Sequence, residues 1–145
     1  IVKVRFSPYI AELIEFVVEL NPIPNEDSIG KDVTVNWKMF NGFDTKKTFW
    51  TDSNSLEMEQ RTIRELQRED ETYAGNMYPI TSAIAIRNGT GTQVTLMNDR
   101  AQAGSADLSD KATIEMMQHR RILKDDGKGV AEPLNETDTS DGLAL

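Results

Sequence analysis

The chemistry open to this chain is concentrated in one stretch, His119-Arg120-Arg121-Ile122-Leu123-Lys124-Asp125-Asp126-Gly127-Lys128-Gly129, where bases and acids surround a short apolar pair. The glycines permit a tight loop, and the acids can pair with the bases to fix it. Such a loop could present hydroxyl-binding groups to a sugar. From the residues alone, a charged hairpin end held by its own ion pairs accounts for the stretch equally well. A calcium loop does not, because the repeated oxygen ligands of such a site are missing.

Other catalytic arrangements find little support. His119 is the one histidine, whereas zinc hydrolase sites take several protein ligands including histidines, so a structural or surface role suits it better. Nothing resembles the nucleophile elbow of a serine hydrolase. Asp and Glu together number 24, so a carboxylate pair of the kind glycoside hydrolysis needs carries no information until its geometry is known. With no cysteine, disulfides and thiolate metal sites are excluded. Asn88-Gly89-Thr90 and Asn135-Glu136-Thr137 are N-glycosylation acceptor sequences in predicted loops, and the pair favours the secretory route.

The elements that must position these residues read as β-structure. Val2, Val4 and Phe6 alternate with Lys3 and Arg5, and Val33, Val35, Trp37 and Met39 alternate with Thr34, Asn36 and Lys38. Ile80, Ser82, Ile84 and Ile86 share one parity, Asn88 to Gly91 supplies a turn, and Val94 and Leu96 resume the alternation, which predicts a hairpin over 80–97. Ile114 and Met116 begin a further strand running toward Ile122. In Ile10 to Leu20 the glutamate spacing suits a helix, but the β-branched and aromatic run Ile14 to Val18 predicts a strand. Leu56 to Asp70 stays open between helix and strand. Asn21 to Pro24, Asn41-Gly42, Ala74 to Pro79 and Gly104 to Asp110 mark loops, and Glu136 to Gly142 reads as a flexible acidic end. Many short strands between turn signals indicate an all-β, antiparallel β-sandwich segment over residues 1–134, with 135–145 as its polar end.

At 145 residues the chain can hold one core. Its net charge of −8 argues against nucleic acid, because phosphates repel an acidic surface. No apolar run approaches the roughly 20 residues of a membrane span. Ile10 to Leu20 is interrupted by Glu12, Glu15 and Glu19. Starting at Ile1 without an initiator methionine, the chain reads as a piece of something longer.

His119 to Val130 resembles a run found in the lysosomal branch of the family 38 α-mannosidases, and Glu132-Pro133-Leu134-Asn135 continues the likeness. Thr51-Asp52-Ser53-Asn54, Ala74-Gly75-Asn76-Met77-Tyr78-Pro79, Asp99 to Ser105, and Pro22-Ile23-Pro24 followed by Ile29-Gly30-Lys31 are similar to further blocks of that family, in its order. The resemblance implies a section of the β-sandwich region that follows the catalytic domain. It further implies that the nucleophile, the acid/base carboxylate and a zinc ion lie outside this chain, in the remaining domains of a mannosidase of the lysosome or vacuole, or a secreted one, acting on mannose-containing oligosaccharides. Carried over, Lys128 stands where the family usually has arginine in a loop near the sugar pocket, with Asp126 beside it. Lysine offers a point charge in place of a planar fork. Ser55 stands where a glycine is usual, which strains or reshapes that turn. The rival reading is a stand-alone carbohydrate-binding or interaction sandwich, but Trp37, Trp50, Tyr73 and Tyr78 form no evident platform, and Trp37 sits in an alternating strand that favours its burial. A cytosolic relative would need no glycans at Asn88 or Asn135.

Overall fold

The computed structural model describes residues 1–39, 42–65, 69–125, 127, 129, 131, 133 and 135. They fall into two compact units, Asp32–Arg120 and a smaller one made of Ile1–Lys31 with Arg121–Leu145.

In the larger unit two four-stranded sheets face each other. One has the order β3 (Lys31–Lys38), β10 (Thr113–Arg121), β9 (Gln102–Ala106), β6 (Tyr78–Ile80). The other has the order β5 (Glu57–Thr62), β4 (Thr48–Ser53), β7 (Ala83–Arg87), β8 (Gln93–Met97). The pairs β10–β9, β9–β6, β4–β5, β4–β7 and β7–β8 are antiparallel. Alternation along each strand sends one set of side chains inward. Phe49 lies opposite Ile86 in the register, and Ile114 opposite Ala106. With Ile80, Ile84 and Met116 these residues make the core, each at most 1% exposed. Across it, Phe49 and Tyr78 meet edge to face at 5.7 Å. This is the expected all-β sandwich.

The hairpin predicted over 80–97 is real only from Ala83 onward, as β7–β8. Ile80 belongs to β6 in the opposite sheet. The cause is Asp52, whose Oδ1 accepts the backbone N–H of Thr81, Ser82 and Ala83 at 2.9, 3.0 and 3.1 Å and so turns the chain from one sheet to the other. Both ends of the crossing point an isoleucine into the same core, which is why the periodicity ran through it.

The loop expected over Gly104 to Asp110 begins only at Asp107, since β9 runs through Ala106. Gly104 marks close packing. A Cβ there would lie 2.9 Å from Ile80 Cγ1 and 3.3 Å from the Glu115 carbonyl oxygen. The open segment Leu56 to Asp70 contributes β5 and the start of a short helix α1, Glu69–Ala74. The β4–β5 turn holds Asn54 and Ser55 at φ of 50° and 59°, closed by Leu56 N–H donating to the Ser53 carbonyl at 2.9 Å. Two left-handed residues in succession match the twist of the strands they join.

The smaller unit carries β1 (Val2–Phe6) paired antiparallel with β2 (Ile14–Val18), so the strand expected within Ile10 to Leu20 is confined to Ile14–Val18. Ser7 Oγ accepts N–H bonds from Tyr9 and Ile10 in the connection. Lys31 Nζ ties the following loop together, reaching Asp27 Oδ1 at 2.6 Å and the carbonyl oxygens of Pro24 and Ile29.

Candidate functional site

The chemically suggestive stretch begins inside β10. His119 is half-buried in that strand. Arg120 makes a two-pronged contact with Asp32 of β3, Nε to Oδ1 at 2.6 Å and Nη2 to Oδ2 at 2.9 Å. That bond to Asp32 raises the arginine's pKa further, against the opposing effect of partial burial. The acid that fixes this base is thus 88 residues away in sequence, not a neighbour in the loop. Within the smaller unit, Arg121 donates through Nη1 to the Ile23 carbonyl at 2.7 Å and through Nε to Asn135 Oδ1 at 2.8 Å. Ile23 belongs to the Pro22-Ile23-Pro24 block and is buried.

Beyond the arginines, Ile122, Leu123 and Lys124 line a shallow, mostly apolar groove with Ser28, Ile29 and Gly30. Gly30 allows the close approach, because a Cβ there would stand 3.3 Å from Ile122 Cα. Gly127 adopts φ of 72° and donates its N–H to Asp125 Oδ2 at 3.0 Å. A tight loop stabilised by glycine and acid is therefore present at that point. Asp126 and Lys128, the two pocket candidates, lie outside the described residues.

Three residues prove to be tie points, Asp52 and Asn76 from the family blocks and Asp107 from the stretch read as a loop. Asp52 is 5% exposed and accepts four backbone N–H bonds, the fourth from Ser55 to Oδ2 at 2.8 Å. Burial pushes its pKa up, but the four donors outweigh that and hold it at about 2. Asn76, fully buried, accepts from Arg64 N–H at 2.9 Å and donates to the carbonyls of Arg64 and Thr72 at 2.8 and 2.6 Å. Asp107 accepts from Ala112 N–H at 2.6 Å and from the Thr45 hydroxyl. The signal was available: a short acceptor beside small polar turn residues is what a backbone-capping side chain looks like.

Trp37 and Tyr78 pack against the core, the Arg87 guanidinium lies 4.7 Å from the Trp50 ring centre, and Arg61 sits at the same distance from Tyr78. Among the described residues no three or more His, Asp or Glu side chains converge as a metal site requires, so these donors do not fit a zinc ion. Among the described residues no helix is long and apolar enough to cross a membrane. Asn88, in the β7–β8 turn, accepts three hydrogen bonds on Oδ1, from the N–H and hydroxyl of Thr90 and the N–H of Thr92. In Asn135 too it is the amide oxygen that is engaged.

Comparison with known proteins decides the family. The profile described as "Glycosyl hydrolases family 38 C-terminal domain" matches residues 3–128. The chain belongs to glycoside hydrolase family 38. "Lysosomal alpha-mannosidase" of Felis catus is 42% identical over 134 residues, covering 90% of this chain and 12% of that protein. The same-named protein of Homo sapiens is 41% identical over 127 residues, covering 85% and 12%. "Alpha-mannosidase" of Canavalia ensiformis is 38% identical over 129 residues, again covering 85% and 12%. The chain thus spans about an eighth of the length of these relatives. Its family 38 blocks coincide with Asp52, Asn76 and the close-packed Gly104, all of which organise backbone in the sandwich.

Proposed function

We propose that this chain is a non-catalytic β-sandwich section of a family 38 α-mannosidase, which removes terminal α-linked mannose from N-glycan-derived oligosaccharides in a lysosome or vacuole, or after secretion. The observation that carries this reading is that the family's sequence blocks fall on side chains that tie backbone together, not on a convergent catalytic group. Retaining glycosidases place two carboxyl groups about 5 Å apart across the scissile bond, one as nucleophile and one as acid/base. In this proposal both, together with the zinc, belong to other domains of the same polypeptide. This section contributes a wall.

Its own residues hold one loop in place. Arg120 clamps β10 to β3, and Arg121 clamps the following segment to Ile23 and Asn135. Gly127, at φ of 72°, stands between Asp126 and Lys128 in the sequence. We place Lys128 at the rim of the sugar pocket, where its ammonium group donates to a sugar hydroxyl or a carboxylate, with Asp126 as an acceptor nearby. Asn88 and Asn135 are proposed glycan acceptors, each with its amide oxygen engaged.

The test compares the complete polypeptide with this chain alone on a chromogenic α-mannoside. The isolated chain gives no turnover, and measurable turnover by it overturns the reading. In the complete enzyme, Lys128→Ala lowers kcat/KM by roughly tenfold or more, as loss of one charged hydrogen bond of about 1.5–3 kcal/mol requires. An unchanged rate removes Lys128 from the pocket.

A further inference from the structure

The β1–β2 hairpin sorts its side chains with one exception, Val17, which lies opposite Lys3 on the charged face. The register Val2↔Val18, Val4↔Phe16 and Phe6↔Ile14 puts six apolar residues on one face. The charges fall on the other face, where they satisfy one another. Lys3 pairs with Glu19, and Arg5 Nη1 meets Glu15 Oε2 at 3.2 Å. Both faces are open in this chain, and the apolar one leaves Val2 54%, Val4 48%, Phe6 75% and Ile14 44% exposed.

A two-stranded hairpin is at best marginally stable in water unless a hydrophobic face is packed. Something must cover this one. Five residues at a rise of about 3.4 Å, in two strands about 4.8 Å apart, present a face on the order of 200 Å². Stable complexes between free proteins bury about 800 Å² on each partner, so the face is too small to hold a second copy in solution. A tethered partner faces no such requirement, because linkage raises its effective concentration to about the millimolar range. Most of the length of the family 38 relatives lies outside the part this chain matches, so tethered partners are available in such a protein.

We infer that the Val2-Val4-Phe6-Ile14 face docks onto an apolar, uncharged sheet or helix face of another section of the same polypeptide. This rests on the reading of the chain as one section of a longer mannosidase. The hairpin is then an interdomain clip, with its ion-paired face toward solvent.

The experiment uses the complete polypeptide, with thiol labelling read peptide by peptide in Val4→Cys and Phe6→Cys on the apolar face and Lys3→Cys and Arg5→Cys on the charged face. Docking makes the apolar-face positions at least about tenfold slower to label than the charged-face ones. Equal rates overturn the proposal. Hydroxyl-radical footprinting of the unmodified protein covers the case in which a cysteine variant loosens the clip. Phe6, normalised to its intrinsic reactivity, is then protected relative to Met97, which is 67% exposed. An unprotected Phe6 overturns the proposal. Protection that disappears on dilution assigns the face to a second copy and also overturns it. Mannosidase activity of the same sample separates the two ideas, since an active enzyme with a freely labelled face refutes the docking alone, and an inactive one with a protected face refutes the function alone.

Discussion

Removing the Asp52 carboxylate should loosen the crossing between the two sheets and leave the rest of the sandwich largely intact. Four backbone N–H groups converge on it, from Thr81, Ser82, Ala83 and Ser55, at 2.8–3.1 Å. Asp52→Ala leaves all four donors without their acceptor. A buried unsatisfied donor costs about 1–3 kcal/mol, but water will reach some of the four, so a total of about 2–4 kcal/mol is reasonable. Hydrogen exchange by mass spectrometry on the complete polypeptide reads this locally, which matters because unfolding of a multidomain chain is not two-state. In the variant, amides of 81–83 should exchange at least about tenfold faster, each tenfold corresponding to about 1.4 kcal/mol. The pH dependence supplies a second signature. The folded pKa is depressed from 3.8 to about 2, so the contribution is fully present above pH 3.8 and is lost as pH falls through about 2. A displacement of that size is worth at most about 2.4 kcal/mol, and solvent screening beside a surface turn reduces what stability senses to about 1–2 kcal/mol. Asp52→Asn should lack that acid-side decline while retaining the shape of the side chain. If exchange at 81–83 in Asp52→Ala matched the parent protein, or if the parent showed no loss of protection between pH 4 and pH 2, the tie-point argument would fail.

Two further outcomes follow from strained or buried groups. Ser55 holds a left-handed backbone at φ of 59°, so Ser55→Gly should slow exchange in the β4–β5 hairpin by the equivalent of about 1 kcal/mol; slower exchange confined elsewhere would mean the strain is not at this turn. Glu115 is 2% exposed, its Oε2 lacks a hydrogen-bond partner, and burial raises its pKa. The sign therefore opposes that of Asp52: stability is complete below the ordinary value of 4.5 and declines as pH rises through the folded value. Glu115→Gln should flatten that decline, measured as β9–β10 amide protection at pH 4 and pH 7, and an unaltered difference between the two would locate the titrating group elsewhere.

Much of the architecture was legible because alternation is a local property. Val2 to Phe6, Val33 to Lys38 and the start of the Ile114 strand each carry a period-two alternation of residue type, and each lies in a strand. The all-β class and the family resemblance were equally readable, since both depend on residue type and order along the chain. The assignment of Ile80 was not, because the same alternation is satisfied whether the backbone continues in one sheet or crosses to face it. Only Asp52, 29 residues earlier than Thr81, decides between them. Gly104 was read as a loop signal because a missing side chain looks the same in a turn and in a tight strand contact. The charged stretch at the end of β10 shows the same limit. Its composition announced ion pairs, but the partner of Arg120 is Asp32, and Arg121 is spent on a distant carbonyl. Composition and spacing determine which faces a strand offers and which groups demand partners. Which partner answers is settled by register and crossing, through contacts dozens of residues apart that no local pattern encodes.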